Sequence, residues 1–328
     1  MESLSSVRAA KILERFSGQR VGVFGDFMLD RYVFGEASRI SPEAPIPILR
    51  FQEENLRAGG AANVVRNLAA LGSAAIPIGV VGDDAGGKAL RESLAAAGVP
   101  VEGILRDADR PTTEKTRFLA GHHPVARIDR EDDRPVSATV AECLLGFLGK
   151  CLSSLTGIIV SDYEKGVVTP ATLSGLLAGS RERNLPVFVD PKTANFPRFE
   201  GATLLTPNLA EAAAATGWSR QRVEEDLEGM AKALGKIVPC RALLVTRGEK
   251  GMVLFESGKP PMEIPTAARE VYDVTGAGDT VIAVSALAIL AGANFAEASL
   301  LANRAAGEVV GKLGTATVTR EEILNPWK

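Results

Sequence analysis

Six short apolar runs, each ending in a glycine or a small polar cluster, set the strongest limit on how this chain can fold. VGVF leads into Gly25-Asp26, IGVV into Gly82-Asp83, IIV into Ser161-Asp162, VFV into Asp190-Pro191-Lys192, TLL into Thr206-Pro207-Asn208 and ALLV into Thr246-Arg247-Gly248. Runs this short and this apolar suit strands buried on both faces, and helix-like segments separate most of them. Strand, polar loop, helix is the pattern of a mostly parallel sheet covered on both sides. Ligands of such sheets bind beyond the carboxyl ends of the strands, where Asp26, Asp162, Asp190, Lys192, Asn208 and Thr246 fall.

Two stretches break the rhythm. Residues 30–57 are rich in proline and β-formers, and residues 112–130 alternate as a hairpin turning near Gly121. Together they predict a small sheet projecting as a lid, which would exclude water from a site beneath it. No linker divides the chain, so the expectation is one domain over residues 1–328 with that lid.

The segment Asp273 to Thr280, DVTGAGDT, joins a small-residue turn to the apolar run VIAVSALAILA. That run is too short for a span of about 20 residues and reads as a buried helix. The first N–H groups of a helix lack partners and carry its positive dipole end, so Gly276, Ala277 and Gly278 let an anion approach closely. Asp279 then faces whatever the anion is attached to, as a general base. Capping alone does not explain two glycines, which cost about 1 kcal/mol each in a helix interior.

Other segments carry weaker signals. Gly59-Gly60 precede a helix whose first turn holds Asn63, a donor and acceptor for hydroxyls. Asp26 and Asp30 form an acid pair after the first strand, natural acceptors for sugar hydroxyls, although one of them reads equally as a loop cap. GDDAGGK at 82–88 has the spacing of a triphosphate loop, but Ala89 follows where Ser or Thr is needed, so it reads as a helix-capping turn. Asn208 and Glu211 share a helix face, and the spacing fits a capping box as well as it fits ordering of magnesium-bound water. Thr246, Arg247 and Gly248 make a polar turn after a strand. His122 and His123, the only two histidines, sit at the hairpin tip and read as solvated residues, leaving a zinc centre or a serine-histidine triad with little support.

Forty acids against 37 bases give a formal charge of -3, which offers no global pull toward nucleic acid or an anionic membrane. Anion selectivity must be local, and the cations Arg39, Lys115, Arg117, Lys165 and Lys192 lie in the lid segments or at strand ends. Three scattered cysteines and a charged N-terminal segment without a signal-peptide core predict a cytoplasmic protein.

At this point the residues resemble the ribokinase-like, or PfkB, sugar kinases: Ala58 to Gly87 is similar to that family's first signature and Asp273 to Thr280 to its second. The resemblance implies a three-layer α/β/α sandwich with a small β-sheet lid, ATP and Mg2+ as cofactors, and leaves a monovalent cation open. It implies Asp279 as the base and Gly276 to Gly278 as the anion hole. Asn208, Leu209, Ala210 and Glu211 match the NxxE motif for magnesium and phosphate. Thr246, Arg247 and Gly248 would lie along ATP, with Asn303 beside it on a later helix. FGDFMLDRYVFGEASRISPEAPIPIL, SDYEKGVVT and DPK further resemble the heptose 7-phosphate kinases of lipopolysaccharide core assembly. That likeness implies a sugar phosphate acceptor, with Asp30, Gly59, Gly60 and Asn63 on the sugar and Arg39, Lys115, Arg117, Lys165 and Lys192 as candidates for its distal phosphate. Some such enzymes carry a nucleotidyltransferase domain, and the expectation here is the kinase activity alone. A homodimer through the lid is the family expectation.

Overall fold

Strand β1 (Arg20–Ile40) runs through two sheets and organises the rest of the molecule. The structure is a computed structural model that describes residues 4–121 and 123–325. The further strands are β2 (Pro47–Gly60), β3 (Ala74–Gly82), β4 (Ile104–Asp107), β5 (Thr113–Ala120), β6 (His123–Arg130), β7 (Gly157–Ser161), β8 (Val187–Asp190), β9 (Leu204–Leu205), β10 (Ala242–Thr246), β11 (Met252–Glu256) and β12 (Met262–Ile264). The main sheet has the order β12-β11-β10-β9-β8-β7-β1-β3-β4. It is parallel from β10 to β4, and only β11 runs the other way, pairing antiparallel with both β10 and β12.

The helices are α1 (Ser6–Glu14), α2 (Ala61–Ala70), α3 (Ala85–Ala96), α4 (Ala138–Cys151), α5 (Pro170–Glu182), α6 (Leu209–Thr216), α7 (Arg220–Glu225), α8 (Leu227–Ile237), α9 (Ala277–Leu290), α10 (Phe295–Val309) and α11 (Arg320–Leu324). They form two layers with separate cores: α1, α2, α3, α9, α10 and α11 on one face, α4 to α8 on the other. The strands feed both by simple alternation: on β7, Ile159 packs into the first core while Ile158 and Val160 pack into the second. All six apolar runs of the sequence are strands of this sheet, buried on both faces as their composition requires. Asp84 caps α3 by accepting from the Gly87 N–H at 2.9 Å, so GDDAGGK is a capping turn.

Halfway along, β1 changes partners. It is parallel to β7 as far as Gly25 and to β3 as far as Asp26, then pairs antiparallel with β2 from Phe27 and parallel with β5 from Met28. With β6 these strands make a smaller sheet standing over the carboxyl ends of the main one. Tyr32, Phe34 and Leu119 pack its inner face against Leu313. Its other side leaves Leu56 and Ile128 exposed. His123 is exposed at the start of β6, and His122 lies outside the described residues.

Candidate active site

Helix α9 begins at a turn that only glycine can make easily. Gly276 has φ +80°, and a Cβ there would stand 2.5 Å from the Asn63 side-chain amide. Asp273 orders the approach: its carboxylate accepts from the Thr275 N–H and hydroxyl at 2.9 and 2.7 Å and from the Gly314 N–H at 2.9 Å. The Ala277 N–H is already used, donating to the Val274 carbonyl at 3.2 Å. At this helix start the N–H groups of Gly278, from the predicted cradle, and of Asp279 beside it have no partner among the described residues. Gly278 is exposed, so they are open to an anion from solvent.

Directly behind them Asp279 is 1% exposed. One carboxylate oxygen accepts from Asn63 Nδ2 and the other from the Tyr163 hydroxyl, both at 2.8 Å. Asn63 is itself wholly buried in the first turn of α2, where Asn67 Nδ2 donates to its carbonyl at 3.0 Å. Burial pushes the Asp279 carboxyl up to about 6, opposed by those two hydrogen bonds and by Lys192, and aided by the charge of Asp30. A carboxylate tuned close to neutrality, beside a pair of free N–H donors, is chemically suited to take a proton from an attacking hydroxyl.

Asp30 lines the same chamber. It is 3% exposed on β1, with Arg117 Nη1 2.5 Å away, and a Cβ on Gly59 would overlap its carboxylate, so the glycine is what admits the acid. Gly60 forms the cap of α2. Arg117 also lies over the Tyr32 ring, 5.2 Å from its centre. The buried Tyr32 hydroxyl has no partner among the described residues. Asp26, paired with Asp30 in the sequence reading as a hydroxyl acceptor, is committed elsewhere. It accepts the N–H groups of Tyr163, Lys165 and Val167 at 2.8, 3.1 and 3.1 Å and is thereby a loop clamp.

The cations divide into groups. Lys115 reaches Asp129 and Glu131, both at 3.2 Å, and Lys165 shares Glu131 at 2.9 Å, so these two form a cluster with its own acids. Lys192 pairs with Glu211 and sits 5.2 Å from the centre of the Tyr163 ring. Burial works against its charge, but Asp190 and Glu211 outweigh that and raise its pKa. Arg39 is not brought to the chamber: it is exposed near the end of β1, about 30 Å along an extended strand from Asp30. Arg57, absent from the sequence candidates, lies opposite Asp30 on β2 and has no ion pair among the described residues.

On the other side of Asp279, Asn208 and Glu211 form a full capping box at the start of α6, each side chain accepting the other's backbone N–H at 2.9 Å. Leu209 is buried and Ala210 exposed in that first turn. Among the described residues no group of three or more His, Cys, Asp or Glu side chains is arranged to hold a metal. Burial, together with the charge of Glu211, nevertheless pushes Asp190 up to about 8, with Asp279 adding to the effect. Acids crowded around one lysine fit a hydrated cation arriving with its anion better than a permanently ligated one. Thr246 ends β10 next to this box, its N–H donating to Pro207 at 3.0 Å, and Arg247 and Gly248 continue the turn, Arg247 facing Glu263 at 3.4 Å. Asn303 is tied to the Pro265 carbonyl at 2.8 Å.

Tyr163 was missed by sequence reasoning. The available signal was its position immediately after Asp162, at the carboxyl end of β7. Cavities of about 490 Å³ beside α3 and about 500 Å³ between α8 and β11 lie away from Asp279 and have none of its chemistry.

The sequence matches the pfkB family carbohydrate kinase profile over residues 19–322. The bifunctional protein HldE of Pelobacter propionicus is 47% identical over 306 residues, covering 92% of this chain and 62% of that protein. The corresponding protein of Citrifermentans bemidjiense is 45% identical over 311 residues, covering 95% of this chain and 64% of that protein. The chain thus spans less than two thirds of the length of these relatives. The structure of Arabidopsis thaliana ribokinase complexed with ribose and ATP superposes with a TM-score of 0.74 at 23% identity, covering 94% of this chain and 99% of that one. The architecture is therefore the ribokinase-like α/β/α sandwich, and with the profile match spanning nearly all of it, the chain belongs to the pfkB family of carbohydrate kinases.

Proposed function

We propose that this chain transfers the γ-phosphoryl group of ATP to the anomeric hydroxyl of D-glycero-β-D-manno-heptose 7-phosphate, giving the 1,7-bisphosphate used for ADP-heptose and lipopolysaccharide core synthesis. The observation that carries the kinase reading is the buried Asp279 behind the open N–H pair of Gly278 and Asp279. The heptose reading is supported by the sequence likeness in residues 24–49, 161–169 and 190–192, and by relatives named HldE. It concerns the kinase step alone.

In this mechanism Asp279 takes the proton from the sugar O1 as that oxygen attacks the γ-phosphorus, the bond to the bridging oxygen breaks, and ADP leaves. The N–H groups of Gly278 and Asp279 stabilise charge growing on the transferred group. Asp30 and Asn63 orient the sugar hydroxyls, with Gly59 and Gly60 giving it room. Thr246, Arg247, Gly248 and Asn303 line the nucleotide. Asn208 and Glu211 would hold Mg2+ through water, and the ion supplies charge neutralisation to the phosphates. The smaller sheet acts as the lid of a single kinase domain, its outer face joining two copies.

For the distal phosphate the geometry favours Arg57, which has no ion pair among the described residues, over Arg117, Lys115 and Lys165, each of which is already paired with an acid. Directly opposed residues of paired strands share a face, so Arg57 stands on the side of Asp30, near the unpartnered Tyr32 hydroxyl. The deciding measurement is ADP release across a panel of phosphorylated and unphosphorylated sugars and nucleosides. Preference for heptose 7-phosphate is expected. A better unphosphorylated sugar or nucleoside would reassign the acceptor within the family, and no turnover with any acceptor would favour a non-catalytic sensor.

A further inference from the structure

Tyr163 stands between the two halves of the site. Its hydroxyl donates to Asp279 at 2.8 Å, its ring lies under the Lys192 ammonium, and Lys192 is paired with Glu211 at the cap of α6. Its backbone is held just as firmly, the N–H donating to buried Asp26 at 2.8 Å. A tyrosine pinned at main chain, ring and hydroxyl has few conformations left, and the hydroxyl spends that order on one oxygen of the base.

We propose that Tyr163 is a positioning residue of the transfer reaction, whose hydroxyl holds the Asp279 carboxylate in its reactive orientation and favours its ionised form. The inference rests on the kinase reading of Asp279. Every polar group facing that carboxylate has a distinct effect. Asn63 from α2 and Tyr163 from the loop after β7 donate to it, Lys192 from the loop after β8 attracts its charge, and Asp30 on β1 and Asp190 on β8 repel it. Lys192 acts on charge from a distance, whereas Tyr163 and Asn63 also fix direction. Burial, the charge of Asp279 and that of Asp190 keep the phenol itself protonated, so it remains a donor at any working pH.

Tyr163→Phe keeps the ring beneath Lys192 and removes only the donor. A hydrogen bond to a charged group stabilises it enough to hold its pKa down by about one unit. The full chain carrying Tyr163→Phe is therefore expected to show an acid limb of kcat/KM displaced upward by about one pH unit. Its kcat at neutral pH should fall by about tenfold, with KM for ATP and acceptor nearly unchanged. In an Asp279→Asn background the same substitution should cost nothing further, because its effect passes through the base. A pH profile superimposable on that of the parent, or a full extra loss in the Asp279→Asn background, overturns the proposal and leaves the kinase reading standing. A parent chain that releases no ADP with any acceptor takes both down. If Tyr163→Phe melts early, Asn63→Asp supplies the second test. That change replaces the other donor with an acid and should displace the limb upward further, and an unmoved limb would show that the groups around Asp279 do not tune it.

Discussion

At Asp279 burial and hydrogen bonding oppose each other, and burial wins. The carboxyl is raised to about 6, so it is mostly ionised only above that pH. Turnover should fall about tenfold per unit below the limb, following the ionised fraction. Asp279→Asn should lower kcat by about 10² to 10⁴ with little change in KM, and the residual rate should lose its acid limb. Steady-state ADP release from about pH 5 to 8 checks both, and unchanged turnover would remove Asp279 from the mechanism. Asp279 and the glycines before it were legible because their signal is local, eight consecutive residues that make sense only as an open helix start. Tyr163 was not legible as a contact of Asp279, since 116 residues separate them. Asp26 misled for a related reason. A carboxylate after a strand looks the same in sequence whether it faces a ligand or three backbone N–H groups.

The loop after β7 is the element most dependent on one side chain. Asp26 satisfies three of its N–H groups, and buried donors left without acceptors cost about 1–3 kcal/mol each. Asp26→Ala should therefore lower the melting temperature by about 5 °C or more, at about 2–4 °C per kcal/mol for a chain of this size. It should also reduce turnover by releasing Tyr163. A melting curve within a degree or so of the parent's would show that water replaces the clamp. Strands of the main sheet were readable because burial on both faces demands unbroken apolar runs. The true length of β1 was hidden. VGVF marks only the part between two helix layers, while beyond Asp26 the strand stays buried through Asp30, alternates half-buried with buried from Arg31 to Phe34, and is exposed from Glu36 to Ile40. Helix α9 was readable as buried, from Asp279 to Ala288 in the structure, because after Asp279 nothing polar interrupts its surface except Thr280 and Ser285.

Across the whole molecule four buried acids push in one direction, Asp26 among them, its carboxyl raised by burial. Asp162, Asp190 and Asp279 are raised to about 7, 8 and 6, chiefly by burial, from an ordinary value of 3.8. The native state then binds protons that the unfolded chain has released, so stability falls as pH rises from about 4 to about 8. Asp84 and Glu114, held low by hydrogen bonds, contribute stability that is lost on the acid side. Melting temperature should thus peak near about pH 5, and Asp190→Asn should gain on the parent steadily between about pH 5 and 8. A pH-independent difference would mean that Asp190 is already ionised at low cost. On the smaller sheet, Leu56 and Ile128 are 42% and 59% exposed beside the Arg31–Glu54–Glu114 ion pairs, a mixed face that the proposed function gives to a second copy. Ile128→Asp is expected to convert the proposed dimer to monomers in sedimentation, and a mass that is the same in both proteins would argue against pairing through this face. Beneath both faces runs β1, clamped by β3 and β7 as far as Asp26 and carrying β2 and β5 from Phe27 onward. Mechanically it is a cantilever, and bending moment concentrates at the clamp. There Asp26 grips the loop of Tyr163 on one side and Asp30 meets the chamber on the other, so any deflection of the overhanging leaf would change the spacing between Asp30 and Asp279.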